Sequence, residues 1–116
     1  MRSFAQALDL KNDPAMIAAY KKHHANVWPE VTAALRDIGI TRMKLFLLGT
    51  HLFMYYEAPD SFDPARDYQT YAANPRAAAW DALMRGFQQR AEGARPDEWW
   101  ANMELVFDLE TAVERG

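Results

Sequence analysis

Few residues in this chain are equipped for covalent or proton-transfer chemistry. There are three histidines and no cysteine, which removes thiol nucleophiles, thiolate metal sites and disulfides together. His23 and His24 are neighbours, so on a helix they point about 100° apart and cannot both face a core. His24 falls on the apolar stripe Ile17, Tyr20, His24, Val27 or Trp28, Val31, Leu35 and Ile38, with His23 beside it. Burial there disfavours the charged imidazole and brings its pKa to where the ring donates or accepts a proton at neutral pH. By its position alone, His24 also fits a core histidine satisfied by a neighbour. His51 falls in a Gly49-Thr50-His51 turn and reads as a solvated residue. The three make no metal set, since helix ligands want a pair three or four apart, and no metal or other cofactor is expected.

Tyr20 precedes His24 by one turn, so phenol and imidazole share a helix face and could grip one small polar ligand together. Equally, the tyrosine ring could pack in the core with its hydroxyl at the edge. Four tryptophans are more than a minimal core requires. Trp80 lies in the second long helical segment and Trp99-Trp100 before the last strand. Aromatic faces stack on the C–H surfaces of sugar rings and their polar tips add hydrogen bonds, although core packing accounts for any one of them. Glu30, Glu57 and Asp81 are scattered, so the paired carboxylates of glycoside hydrolysis are missing. A glycine loop for phosphate is missing too.

These residues must be positioned by a regular scaffold. Ser3 to Leu10 alternates as a strand. Asp13-Pro14 reads as an N-cap with proline in the first turn, opening a helix. Pro29 pushes Trp28 away from helical angles and predicts a break there, with a second helical piece ending at Gly39. Met43–Leu48 and Leu52–Ala58 read as a hairpin. Asp60 to Pro64 reads as loop, and Tyr68 to Gln89 as helix with Pro75 at the start of its main part. Gly93 to Pro96 is a turn, and Asn102 to Leu109 alternates as a closing strand.

The chain has 116 residues, 50% of them hydrophobic and 25% charged, the balance of a soluble globular protein. At this length roughly 65% of the unfolded surface is buried, so a single domain over 1–116 is expected. Thirteen Lys and Arg against sixteen Asp and Glu, with no basic block, argue against nucleic acid. No stretch approaches the roughly 20 apolar residues of a membrane span, and the N-terminus lacks a secretory pattern. The cytoplasm is the default location. The order strand, helix, strand, strand, helix, strand describes a ferredoxin-like βαββαβ layer of α+β class, with helices on one sheet face. The bare face calls for cover. A two-fold homodimer is therefore expected, its sheets packed face to face or completed by exchanged terminal strands.

The run Tyr20-Lys21-Lys22-His23-His24-Ala25-Asn26-Val27-Trp28-Pro29-Glu30 resembles the signature of the L-rhamnose mutarotase family. There, tyrosine is followed four residues on by histidine, then by tryptophan-proline-glutamate. The likeness covers nearly the whole chain, including Gly39, Trp80 and the closing Leu105-Val106-Phe107-Asp108-Leu109. It implies a dimeric ferredoxin-like α/β barrel acting on a small sugar, with His24 at the proton-donating position and Tyr20 and Trp80 at substrate-binding positions. Two departures imply a changed pocket: Met43 stands where the rhamnose enzymes carry a binding tyrosine, and Ala79-Trp80 where they carry a tryptophan pair. The variant is similar to a branch attributed to L-fucose catabolism.

The implied reaction suits these residues. Mutarotation removes a proton from the anomeric hydroxyl and delivers one to the ring oxygen, and a positioned histidine contributes about 10²–10⁴-fold to such a step. Competing readings are a cofactor-independent monooxygenase on the same fold, since fold alone does not assign function, and a non-catalytic sugar-binding dimer.

Overall fold

The computed structural model describes residues 1–112. In chain order its elements are β1 (Arg2–Leu10), α1 (Pro14–Ala25), α2 (Pro29–Asp37), β2 (Arg42–Leu48), β3 (His51–Ala58), α3 (Pro64–Ala73), α4 (Pro75–Arg85), β4 (Gln88–Gln89), β5 (Ala101–Asn102) and α5 (Leu109–Ala112). Residues 113–116, the end of the expected 1–116 domain, lie outside the described residues.

Three helices start by one device. Asp13, Asp63 and Asn74 each precede a proline, and each side chain accepts hydrogen bonds from first-turn N–H groups: Ala15 and Met16, Ala65, and Arg76 and Ala77 respectively. Proline then occupies a position that needs no N–H. Pro29 breaks the long helical pattern as expected, with Trp28 at ψ 132° between α1 and α2. α2 ends in a Schellman closure: Ile40 N–H donates to the Leu35 carbonyl at 3.2 Å, Gly39 N–H to that of Arg36 at 3.0 Å. Gly39 supplies the φ of +107° that this closure requires.

The sheet is antiparallel in the order β2-β3-β1, with both β4 and β5 on the far edge of β1. This is the ferredoxin-like strand order, its fourth strand split in two. Side chains alternate across it with period two. Leu8, Leu10, Leu52, Met54, Tyr56 and Ala58 are buried toward the helices, whereas Arg42, Lys44, Phe46 and Leu48 occupy exposed positions of β2. The core has a cluster around Leu8, Tyr20, Val31, Leu52, Trp80 and Met84, and another around Ile40, Met54, Tyr56 and Phe62.

Three sequence expectations are corrected. The segment 60–64 is not all loop, because Asp63 caps a helix that already begins at Pro64. The last long helix stops at Arg85 instead of running to Gln89. Gly86 and Phe87 N–H close onto the carbonyls of Leu83 and Met84, then Lys11 N–H bonds the Phe87 carbonyl at 2.9 Å, carrying Gln88 and Gln89 onto β1. The closing strand pairs only over Ala101–Asn102, with Met103 N–H to Ala5 carbonyl at 2.9 Å as its last rung. Beyond it the alternating pattern persists without a ladder, and Leu105, Val106 and Phe107 are 70%, 87% and 66% exposed.

Leu8, 1% exposed on the central strand, tests the core. Leu8→Ala is expected to cost about 2–5 kcal/mol in urea unfolding, whereas Asn74→Ala, removing one helix cap, costs about 1 kcal/mol.

Candidate active site

Tyr20 and His24 lie one turn apart on α1, and their ring centroids are 4.3 Å apart. From α4, Trp80 meets the His24 ring at 5.5 Å and 71°, and meets Trp28 at 5.2 Å, again at 71°. Phe87 lies 6.1 Å from Tyr20 and 5.5 Å from His23. Edge-to-face and tilted contacts of this kind favour particular orientations beyond simple area burial, so the rings brace one another. Trp28 is backed by the Arg76 guanidinium, 4.0 Å over its ring, and Arg76 lies 3.9 Å from Glu30.

His24 Nδ1 is 2.9 Å from the carbonyl oxygen of Tyr20. A carbonyl only accepts, so Nδ1 carries the hydrogen and the lone pair of the neutral ring lies on Nε2. Burial lowers the His24 pKa below its ordinary 6.5, helped by the charge of His23 and opposed by the Tyr20 carbonyl. The ring is thus neutral at pH 7, with a basic nitrogen at Nε2. Burial has the opposite sense for Tyr20, raising its phenol pKa against a smaller lowering by Gln88, so the hydroxyl keeps its proton.

Gln88 was not among the residues singled out from sequence. Its side chain is 5% exposed; Nε2 donates to the Tyr20 hydroxyl at 3.1 Å, and Oε1 accepts from the Trp99 indole N–H at 2.9 Å. A glutamine in a two-residue strand carries no spacing signal, and the helical reading of 68–89 hid its place on the edge of β1.

The structure brings Tyr20, His24 and Trp80 together through their ring contacts. Met43 is apart from them: it packs on the second cluster, with Ile40, Met54, Tyr56 and Phe62. Trp99 and Trp100 pack against the first cluster, and Trp100 also reaches the second. His51 is the first residue of β3, not a turn residue, and its Nδ1 is 2.6 Å from Asp9. Asp81 accepts from the Tyr71 hydroxyl at 3.2 Å, and burial raises its pKa. Glu57 accepts from the Tyr55 hydroxyl at 2.5 Å. Among the described residues no group of three or more His, Asp or Glu is disposed to hold a metal. A depression of about 310 Å³ lies at the open side of the sheet, lined by Phe46, Leu48, His51, Phe53 and Met103 among others. None of Tyr20, His24 and Trp80 lines it.

Strand order and helix placement define a ferredoxin-like α+β protein. The sequence pattern of the L-rhamnose mutarotase family matches residues 3–109, and the chain belongs to that family. An L-fucose mutarotase of Xanthomonas campestris is 38% identical over 115 residues, covering 97% of this chain and 92% of that one. A UPF0734 protein of Dictyostelium discoideum is 56% identical over 113 residues, covering 94% and 90%. Among solved structures, the L-rhamnose mutarotase of Formosa agariphila shares the fold with a TM-score of 0.70 at 22% identity, covering 94% of this chain and 99% of that one.

Because the His24 pKa is lowered in the fold, the unfolded chain takes up this proton first as pH falls. The contribution is complete above 6.5 and is lost as pH drops from there through the lowered value. An NMR titration of the His24 ring is expected to show a midpoint below 6.5. Between that midpoint and 6.5, urea stability of the wild type should rise with pH more steeply than that of His24→Asn.

Proposed function

We propose that this protein is a sugar mutarotase, an isomerase that interconverts the α and β anomers of a 6-deoxy-L-hexose, L-fucose or L-rhamnose, by acid–base ring opening. The activity is supported by membership of the L-rhamnose mutarotase family and by the relative named an L-fucose mutarotase. The residue assignment is carried by one observation: the Nδ1–H of His24 is committed to the Tyr20 carbonyl, leaving a lone pair on Nε2 beside a protonated phenol.

In this reading His24 Nε2 takes the proton of the anomeric hydroxyl. The C1–O5 bond breaks as C1=O1 forms, and the electron pair released onto O5 is met by a proton from the imidazolium. The lowered pKa makes the imidazolium a ready donor once formed. Rotation about C1–C2 turns the other face of the aldehyde to the O5 hydroxyl. Reclosure reverses the proton transfers, so no proton is consumed overall. Tyr20 hydrogen-bonds the sugar and Trp80 provides an apolar wall beside the imidazole. Met43, on the helix-side face of β2, shapes the pocket from the neighbouring cluster. No cofactor takes part.

The rest of the molecule supports a homodimer in this proposal. Phe46 is 54% and Leu48 79% exposed on the open sheet face, and the apolar segment beyond Met103 lacks a ladder. Apolar patches of this kind mark association surfaces, and a second copy related by a two-fold axis covers both at once. Each protomer is one domain over residues 1–116 that binds a small sugar and no nucleic acid. Among the described residues no helix is long and apolar enough to cross a membrane, and the proposed location is the cytoplasm.

Saturation-transfer proton NMR of the anomeric signals of L-fucose and L-rhamnose tests the activity. Catalytic protein should accelerate exchange in at least one sugar, and His24→Ala should lower that rate by about 10²–10⁴-fold. Folded protein that accelerates neither sugar would remove the reading, and a His24→Ala protein at the wild-type rate would remove the assignment. For the dimer, sedimentation equilibrium should give twice the chain mass for wild type and one chain mass for the double variant Phe46→Glu with Leu48→Glu. A monomeric wild type refutes it.

A further inference from the structure

Gln88, with its amide, is the one buried residue that is not hydrophobic among those described. Burying an amide is unfavourable unless both of its ends find partners, and here both do, through Trp99 and Tyr20. The order of that chain is fixed by elementary donor chemistry. An indole N–H can only donate, so the Gln88 atom 2.9 Å from Trp99 Nε1 must be the carbonyl oxygen. The amide nitrogen consequently faces the Tyr20 hydroxyl at 3.1 Å. An amide nitrogen does not accept, so the phenol oxygen is the acceptor and the phenol's own proton must point elsewhere. No other hydrogen bond takes it up among the described residues, and the ring beside it is the imidazole of His24.

We propose that Gln88 is a positioning residue for catalysis: held by Trp99, it makes Tyr20 an obligate hydrogen-bond donor to a sugar oxygen bound beside His24. The inference rests on the mutarotase reading and adds to it the direction of one hydrogen bond. A tyrosine hydroxyl ordinarily serves in either sense. With the amide donating into its oxygen, only the donating sense remains, and the accepted bond polarises the O–H further. Burial opposes ionisation of the phenol, so the donor persists across the working pH range. The sugar group such a donor fits is one without a proton of its own, which on a pyranose is the ring oxygen, or any hydroxyl acting as acceptor.

Gln88→Glu reverses the logic without changing the shape. Protonated, the new carboxyl donates to Tyr20 as the amide does; ionised, it accepts the Tyr20 proton and turns it away from the sugar. Burial raises the pKa of a carboxyl, so this change falls within an accessible pH range. Saturation-transfer rates for Gln88→Glu are therefore expected to show a descending limb on raising pH that wild type lacks, with kcat/KM falling about ten-fold across it. Tyr20→Phe should abolish that limb, and the double variant should match Tyr20→Phe alone.

A Gln88→Glu profile parallel to wild type would overturn the inference, as would additive losses in the double variant. Gln88→Met covers the case in which the carboxyl prevents folding: its loss should likewise vanish in the Tyr20→Phe background, and additivity would again overturn the inference. Wild-type protein without any exchange activity removes the mutarotase reading itself, a result distinct from active wild type with unchanged variants. In the free wild-type protein, the Trp99 indole N–H signal should be shifted by Gln88→Met; an unmoved signal refutes the network directly.

Discussion

The hydrogen bond from His24 Nδ1 to the carbonyl oxygen of Tyr20, 2.9 Å long, makes one helix turn serve both structure and chemistry. It sets the tautomer, and with it which nitrogen faces a ligand. It also ties the imidazole to the residue whose phenol is its nearest ring neighbour, at 4.3 Å. His24 lies in the last turn of α1, where free carbonyls favour a cation. Burial opposes this and dominates, lowering the pKa. The imidazole is held neutral, with its lone pair on Nε2.

That bond is useful only because other elements hold the two rings. Pro29 opens α2 with Trp28 extended before it, and Trp28 lies against Trp80, while Trp80 in turn meets His24. The Lys11 N–H bond to the Phe87 carbonyl brings the end of α4 onto β1, setting Phe87 and Gln88 against Tyr20. Thus β4, remote in sequence from α1 and held on the edge of β1, decides how the tyrosine is oriented. The opposite sheet face has different occupants, including the His51–Asp9 pair and exposed Phe46 and Leu48.

What was legible in the sequence was local. Asp13-Pro14, the Tyr20 to His24 interval, the Pro29 break and the Gly39 closure each act over a few residues, so their physics is written in adjacent letters. Trp80 could be placed on a helix but not against His24 without the family resemblance, because that contact joins α4 to α1. Asp63-Pro64 carried the same cap signal as Asp13-Pro14 and was hidden by the turn-forming residues around it. Gln88 was illegible in principle: a two-residue strand has no period, and its partners are Tyr20 and Trp99. Met43 could be placed on a hairpin strand, but its packing on the second cluster depends on how α2 and the hairpin meet. The segment after Met103 alternates as a strand should. Among the described residues it forms no strand ladder, and alternation says nothing about whether one forms.

The reach of the functional reading comes from matching polarities and not from the fold, which hosts unrelated chemistries. The anomeric carbon of a hemiacetal bears one hydroxyl that must lose a proton and one ring oxygen that must gain one. The proposed site answers both: His24 Nε2 takes the first proton and its imidazolium returns one to the ring oxygen, while Tyr20, with Gln88 donating into its phenol oxygen, offers its hydroxyl hydrogen to bond that oxygen. A site made of two donors would stabilise the ring oxygen and leave the anomeric proton in place; one made of two acceptors would do the reverse. Ring opening requires both senses in reach of one carbon. In the proposed reaction, an imidazole whose tautomer is set by a backbone carbonyl and a phenol whose direction is set by a buried amide supply them.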